Sequence, residues 1–156
     1  MRLWRLVNEE HVGSTLSGMG GMFVSGRWHH RGTLIVYTTS TPSLASLEML
    51  VHVDPSSAPS SLQLVEISVP DDLQVETVLD PSSITPEWRS YPAPPALADF
   101  GTRWAREQRT PLLRVPSALS FSDAESNVLL NPTHPLAARA SVVGTTHFTF
   151  DTRLLR

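Results

Sequence analysis

The chain has 156 residues, 15 acidic and 12 basic, and a formal net charge of −3; this is the length of one domain able to bury about two-thirds of its unfolded surface. It has no cysteine and no lysine, so all 12 basic residues are arginine. Disulfides, thiol nucleophiles, zinc–thiolate sites, Schiff-base lysines and the P-loop are excluded together, and any bound anion must be held by arginine, histidine or backbone N–H groups.

The negative balance argues against duplex nucleic acid as the main ligand, because counterion-release binding needs a basic patch. Arg103, Arg106, Arg109 and Arg114 form the one local basic cluster, which reads as a solvated helix face and the turn after it. No apolar run approaches a membrane span. Glu9, Glu10 and His11 interrupt the N-terminal segment before a signal-peptide core forms, and a cytoplasmic protein is the expectation.

In chain order, Arg2–Val7 reads as a first strand and Thr33–Thr39 as a strong, largely buried one. Thr41 is a natural N-cap with Pro42 at the first helical position. That helix runs to about His52 and stops before Asp54-Pro55, with Leu44, Leu47 and Val51 as its core-facing stripe. Leu62–Val69 and Gln74–Leu79 are two strands turned by Pro70, Asp71 and Asp72. A second helix spans Pro95–Gln108, with Leu97, Phe100, Trp104 and Ala105 on one side and Pro111 as its stop. Leu112–Val115 and Thr145–Phe150 complete the strands. Pro55–Ser61 and Pro81–Pro95 are connections within a single domain, residues 1–156, because neither flank alone can supply a core. Mixed strands with few helices predict an α+β fold.

Gly18-Met19-Gly20-Gly21 does not fit the dinucleotide fingerprint G-x-G-x-x-G and lacks a strand–turn–helix setting, so it reads as a turn. None of the six histidines has helical metal-ligand spacing, and no metal site is expected. No G-x-S-x-G nucleophile elbow occurs. What remains is a strand–helix unit in which Arg27 precedes the buried strand, Tyr37 lies near its end and Glu48 sits within the helix. At about 100° per residue, Glu48 falls on the flank of the apolar stripe. It is either a boundary carboxylate paired with an arginine or one held in a cleft and tuned there. A later polar group, Val115–Ala118 and Glu125–Pro135, contains Asn-Pro and His-Pro turn formers. Spacing does not choose between capping and function for its Ser117 and Asn127.

Read together, these segments resemble the RES domain family. The resemblance lies in Met1–Leu6, Ser25-Gly26-Arg27-Trp28 with Gly32, Val36-Tyr37, Ala45 with Leu47-Glu48 and Leu50-Val51-His52, and Ile67–Pro70. It continues in Val115–Ala118, Asn127 with Leu130-Asn131-Pro132 and His134-Pro135, and Phe150-Asp151 with Arg153-Leu154. The series is collinear over essentially the whole chain. Asparagine is usual after the Gly-Arg-Trp motif, where this chain has His29, and Asp151-Thr152-Arg153 replaces a more usual Asp-Pro-Arg.

The resemblance implies an ADP-ribosyltransferase-like fold with a mixed or antiparallel sheet. It also implies a bacterial toxin that consumes NAD as substrate and is neutralised by an Xre-type antitoxin with a helix-turn-helix part, in a multi-chain complex. By motif, the residues for which the family is named fall on Arg27, Glu48 and Ser117. Arg5, Tyr37 and Asn127 match further family positions. Glu48, Arg27 and Tyr37 are the implied catalytic set, and Arg5, Arg27, Tyr37, Ser117 and Asn127 the implied NAD-binding set. Arginine forks suit a pyrophosphate, and a carboxylate suits the oxocarbenium-like state of glycosidic cleavage. The acceptor of ADP-ribose is water, phosphate or a protein side chain. A RES-like interaction module without activity is the competing reading.

Overall fold

A computed structural model describes residues 1–54 and 59–155. Its strands are β1 (Arg2–Asn8), β2 (Val36–Thr39), β3 (Leu62–Ser68), β4 (Val75–Thr77), β5 (Leu112–Val115), β6 (Asn127–Leu130) and β7 (Ser141–Phe148), and its α-helices are α1 (Pro42–Leu50) and α2 (Pro95–Arg106). Among the described residues the strands form one sheet in the order β4-β5-β6-β2-β1-β3-β7. β4 and β5 run parallel, and the other neighbouring pairs are antiparallel. The expected α+β class with a mixed sheet is therefore the one found.

Strand alternation sorts side chains to the two faces. Leu3, Val7, Val36, Val65, Ile67, Leu112, Val128 and Leu130 pack together on one face. On the other, Leu113, Val115 and Leu129 meet Trp28 and the α2 residues Leu97, Trp104 and Ala105. Leu6, Leu62 and Phe150 form a third cluster, against which Met49 and Leu50 of α1 pack.

The local signals for α1 operate as expected. Thr41 is extended, its side chain accepts from Leu44 N at 3.1 Å, and Pro42 occupies the first turn. The buried face is not the predicted one. Leu44 and Ala45 are buried, whereas Leu47 is 38 % and Val51 53 % exposed. The helix is rolled so that its inner face continues from Leu44 and Ala45 to Glu48 and Met49, which line a cleft.

Three other boundaries move. β2 begins at Val36, because residues 33–35, of which Thr33 and Ile35 are buried, pair with no strand. Segment 127–130, read as turn, is the interior strand β6, held between β2 and β5. The last strand is β7, an edge strand that starts earlier than Thr145 and is exposed along most of its length. Of the connection Pro55–Ser61, residues 55–58 lie outside the described residues.

Gly101 lets α2 approach the segment that carries Arg27. A Cβ there would lie 2.0 Å from the Trp28 carbonyl oxygen, and Thr102 beside it accepts from His30 N at 2.9 Å. We expect Gly101→Ala to destabilise the fold by about 2 kcal/mol. Gly20→Ala, whose Cβ would meet nothing within 4 Å, should change stability by less than about 0.5 kcal/mol. Urea denaturation of the two variants checks the contrast.

Candidate functional site

The site begins where the sheet comes apart. β1 and β2 are registered at Trp4↔Thr39. Continued antiparallel pairing would set Arg5 against Thr38 and Leu6 against Tyr37, but there the strands separate. A cleft of about 270 Å³ opens in the gap, lined by Trp4, Arg5, Leu6, Tyr37, Thr38, Thr39, Ala45, Glu48, Met49, His52 and Asn127.

Glu48 projects from α1 toward strands distant in sequence. Its Oε1 accepts two hydrogen bonds of 2.7 Å, one from Ser117 Oγ and one from Asn127 Nδ2. Two donors on one oxygen fix the plane of the carboxylate. Among the described residues, Oε2 has no partner. Asn127 Oδ1 is buried and likewise has no hydrogen-bond partner there. Since Nδ2 must face the carboxylate, Oδ1 is an acceptor left over in the wall of the cleft.

The supports of this carboxylate are themselves held. Ser117 Oγ also accepts from Leu119 N at 3.0 Å and Ser120 N at 3.3 Å. Glu125 ties the start of α1 to the same loop, accepting from Thr41 Oγ1 at 2.7 Å and Ser120 Oγ at 2.9 Å. Arg89 donates to the carbonyls of Ser117, Ala118 and Ser120 at 3.1 to 3.2 Å. Its guanidinium lies 4.3 Å from the Trp88 ring centre and 4.2 Å from that of Phe121. Residues 81–95 are therefore a structural brace rather than a plain connection. Arg89, Glu125 and His52 were not singled out from the sequence as site residues.

Arg5 and Arg27, the two arginines of the implied NAD-binding set, differ in setting. Arg5 donates to the Thr15 carbonyl at 2.8 Å, and burial lowers its pKa from the ordinary arginine value. Arg27 does not line the cleft. It donates to the Trp88 carbonyl and, from both terminal nitrogens at 3.2 Å, to the Ser90 carbonyl. Burial lowers its pKa, the negative charge of Glu48 pushes it back up, and Arg89 adds to the lowering. Arg5, Tyr37, Glu48 and Asn127 thus meet in one cleft, Ser117 stands behind Glu48, and Arg27 acts on the group through its charge.

The Tyr37 hydroxyl accepts from Trp28 N at 3.0 Å and lies 2.8 Å from His29 Nδ1. Burial raises its pKa above the ordinary tyrosine value. His30, the neighbour of His29, instead pairs with Asp99 at 2.6 Å. The basic cluster behaves as a surface group: Arg109 pairs with Glu76 and Glu107, while Arg103, Arg106 and Arg114 are exposed. No group of three or more metal-ligating side chains occurs among the described residues. No described helix is long and apolar enough to cross a membrane.

With this geometry in view, comparison with known proteins is decisive. The RES domain model matches residues 2–152. This chain belongs to the RES domain family. A relative from Sphingobium sp. (strain YBL2), named Prs ADP-ribosylating toxin, is 36 % identical over 98 % of this chain and 96 % of its own. A relative from Yersinia enterocolitica, named Toxin Res, is 39 % identical over 99 % of both chains. The fold is shared with a chain in the crystal structure of the M. tuberculosis MbcT-MbcA toxin-antitoxin complex. That match has a TM-score of 0.73 at 15 % identity and covers 99 % of this chain and 86 % of the other.

The hydrogen bonds around Glu48 make a stability prediction. Glu48→Gln keeps an oxygen for Ser117 and Asn127 and should unfold within about 1 kcal/mol of the parent. Glu48→Leu strands two donors, on buried Ser117 and half-buried Asn127, and should cost about 1–3 kcal/mol. Denaturant midpoints at neutral pH measure the difference.

Proposed function

We propose that this RES domain chain is the toxin of a bacterial toxin–antitoxin pair and degrades NAD by cleaving its nicotinamide–ribose bond. The observation that carries the reading is Glu48: a carboxylate with one oxygen locked by two donors and the other unengaged, at a cleft walled by Tyr37. A cleft of this size suits one end of a dinucleotide, and an aromatic wall suits a flat ring.

In the reaction the C–N glycosidic bond breaks with its electron pair leaving on nicotinamide, and positive charge develops on the ribose. Glu48 stabilises that charge through Oε2 without rearranging, because Ser117 and Asn127 already hold it. The leftover acceptor, Asn127 Oδ1, suits a hydroxyl of the ribose or the amide N–H of nicotinamide. Arg5 and Arg27 are the cations for the pyrophosphate; Arg27 brings its charge to the site while its fork is held by carbonyls. The acceptor then adds to the ribose: water gives ADP-ribose, and phosphate gives its phosphorylated form. We rank net degradation first, since it needs no macromolecular docking surface. The Sphingobium relative's name favours the second reading, transfer to a protein side chain. An Xre-type helix-turn-helix antitoxin in a multi-chain complex is the proposed partner, and the cytoplasm the proposed site of action.

Incubation of the purified protein with NAD, with and without phosphate and then with cell extract, followed by mass spectrometry, tests this. Nicotinamide release is expected in each, Glu48→Gln should slow it by about 100-fold or more, and a mass gain on an extract protein would select the transfer reading. Arg5→Lys, which keeps the charge but loses the fork, and Arg27→Ala, which removes the charge, should each cost about tenfold or more, whereas Arg27→Lys should cost less. NAD left intact under every condition would remove the enzymatic reading.

A further inference from the structure

His29 is 4 % exposed, and both of its ring nitrogens are engaged. Nε2 lies 3.0 Å from the Val24 carbonyl oxygen and Nδ1 lies 2.8 Å from the Tyr37 hydroxyl. A carbonyl can only accept, so Nε2 carries the proton. In a neutral ring Nδ1 is then a bare acceptor, and the Tyr37 O–H donates to it. The phenol oxygen in turn accepts from Trp28 N. The chain of bonds runs one way, from the Trp28 amide through Tyr37 and His29 to the Val24 carbonyl.

Two glycines leave room for this arrangement. A Cβ at Gly26 would lie 2.8 Å from both His29 Cε1 and the Tyr37 hydroxyl, and one at Gly21 would lie 3.1 Å from His29 Nε2. Gly21 and Gly26, one from each glycine motif of the N-terminal quarter, thus lie against the imidazole.

We propose that neutral, Nε2-protonated His29 is a positioning residue that holds Tyr37 so that its ring, not its hydroxyl, serves the substrate cleft. The functional half of this proposal rests on the reading that the cleft takes NAD; the tautomer and the hydroxyl bond do not. An asparagine suits the same position chemically, because its Oδ1, one bond from Cγ, falls where Nδ1 lies. Histidine adds a second anchor at Val24 and a proton-sensitive group.

The groups that bear on its titration are Tyr37 from β2, Arg27 on the same turn, and His30, which is bonded to Asp99 of α2. Protonation would place a second N–H against the phenol, whose own proton would then need an acceptor elsewhere. Burial lowers the His29 pKa, the Val24 bond opposes this, and His30 adds to the lowering. Burial therefore favours the neutral ring in the folded chain. In the unfolded chain the residue takes up its proton first, near a pH of about 6.5. Stability from this residue is full above that value and falls as pH drops below it; activity that depends on the neutral ring falls at lower pH, where the folded chain itself takes up the proton.

The test separates the two nitrogens. His29→Asn keeps an acceptor for Tyr37 and should retain turnover within about threefold, with the acid limb of the pH profile lost. His29→Gln places its amide nitrogen toward Val24 but offers Tyr37 nothing, and should lower turnover by about tenfold or more while circular dichroism remains that of a folded chain. Independently of activity, NMR of 15N-labelled imidazole should show the Nε2–H tautomer and a slowly exchanging Tyr37 hydroxyl proton, both at neutral pH. An Nδ1–H tautomer overturns the proposal, as does full activity of His29→Gln beside an inactive His29→Asn. A chain that cleaves no NAD yet shows the Nε2–H tautomer overturns the functional reading and leaves the hydroxyl bond established.

Discussion

The end of pairing between β1 and β2 is the constraint on which the rest of the structure depends. A registered pair at Trp4↔Thr39 joins the two halves of the sheet, and beyond it the strands separate around the cleft. Interior strand edges that do not pair leave backbone polar groups to be satisfied otherwise, so such a gap persists only where flanking elements hold it open. β2 is tied to β6 along its length and β1 to β3 along its length. Two well-paired half-sheets therefore meet at one narrow junction, and the cleft is the space between them. Elements on both sides supply its walls: Arg5 from β1, Tyr37 from β2, Asn127 from β6 and Glu48 from α1.

Around that opening the polar groups are arranged in depth. Glu48 is fixed by Ser117 and Asn127, Ser117 sits in a loop held by Arg89 and Glu125, and Glu125 also steadies the N-cap of the helix that carries Glu48. The carboxylate is thus held from both ends of its own support. A group so fixed does not reorganise when positive charge appears beside it, which is the condition for electrostatic stabilisation in a cleft. Tyr37 is fixed from behind in the same manner by Trp28 and His29, so its ring forms a wall and its hydroxyl is engaged elsewhere.

Local chemistry was legible in the sequence, and distant compensation was not. Thr41 and Pro42 mark the start of α1 because capping is settled within four residues. The α1 face was misjudged because Leu44, Leu47 and Val51 make a regular apolar stripe. The actual inner face includes a carboxylate whose donors lie 69 and 79 residues away. β6 was hidden for a related reason: a four-residue strand beside Asn131-Pro132 shows turn chemistry more strongly than strand pattern. Its burial is decided by neighbours β2 and β5. Arg89 was invisible because what makes it a brace, Phe121 and three loop carbonyls, is remote in sequence. The family resemblance brought Arg5, Tyr37, Glu48, Ser117 and Asn127 into one list, and the structure shows how they stand to one another.

The most direct measurement is a crystal structure of Glu48→Gln, which keeps the Ser117 and Asn127 bonds, grown with intact NAD. The account predicts the nicotinamide–ribose end in the gap between β1 and β2, against the Tyr37 ring, with a ribose or amide donor on Asn127 Oδ1. NAD bound elsewhere, such as the shallow depression between Met22 and Arg106, with the β1–β2 cleft left to solvent, would contradict it.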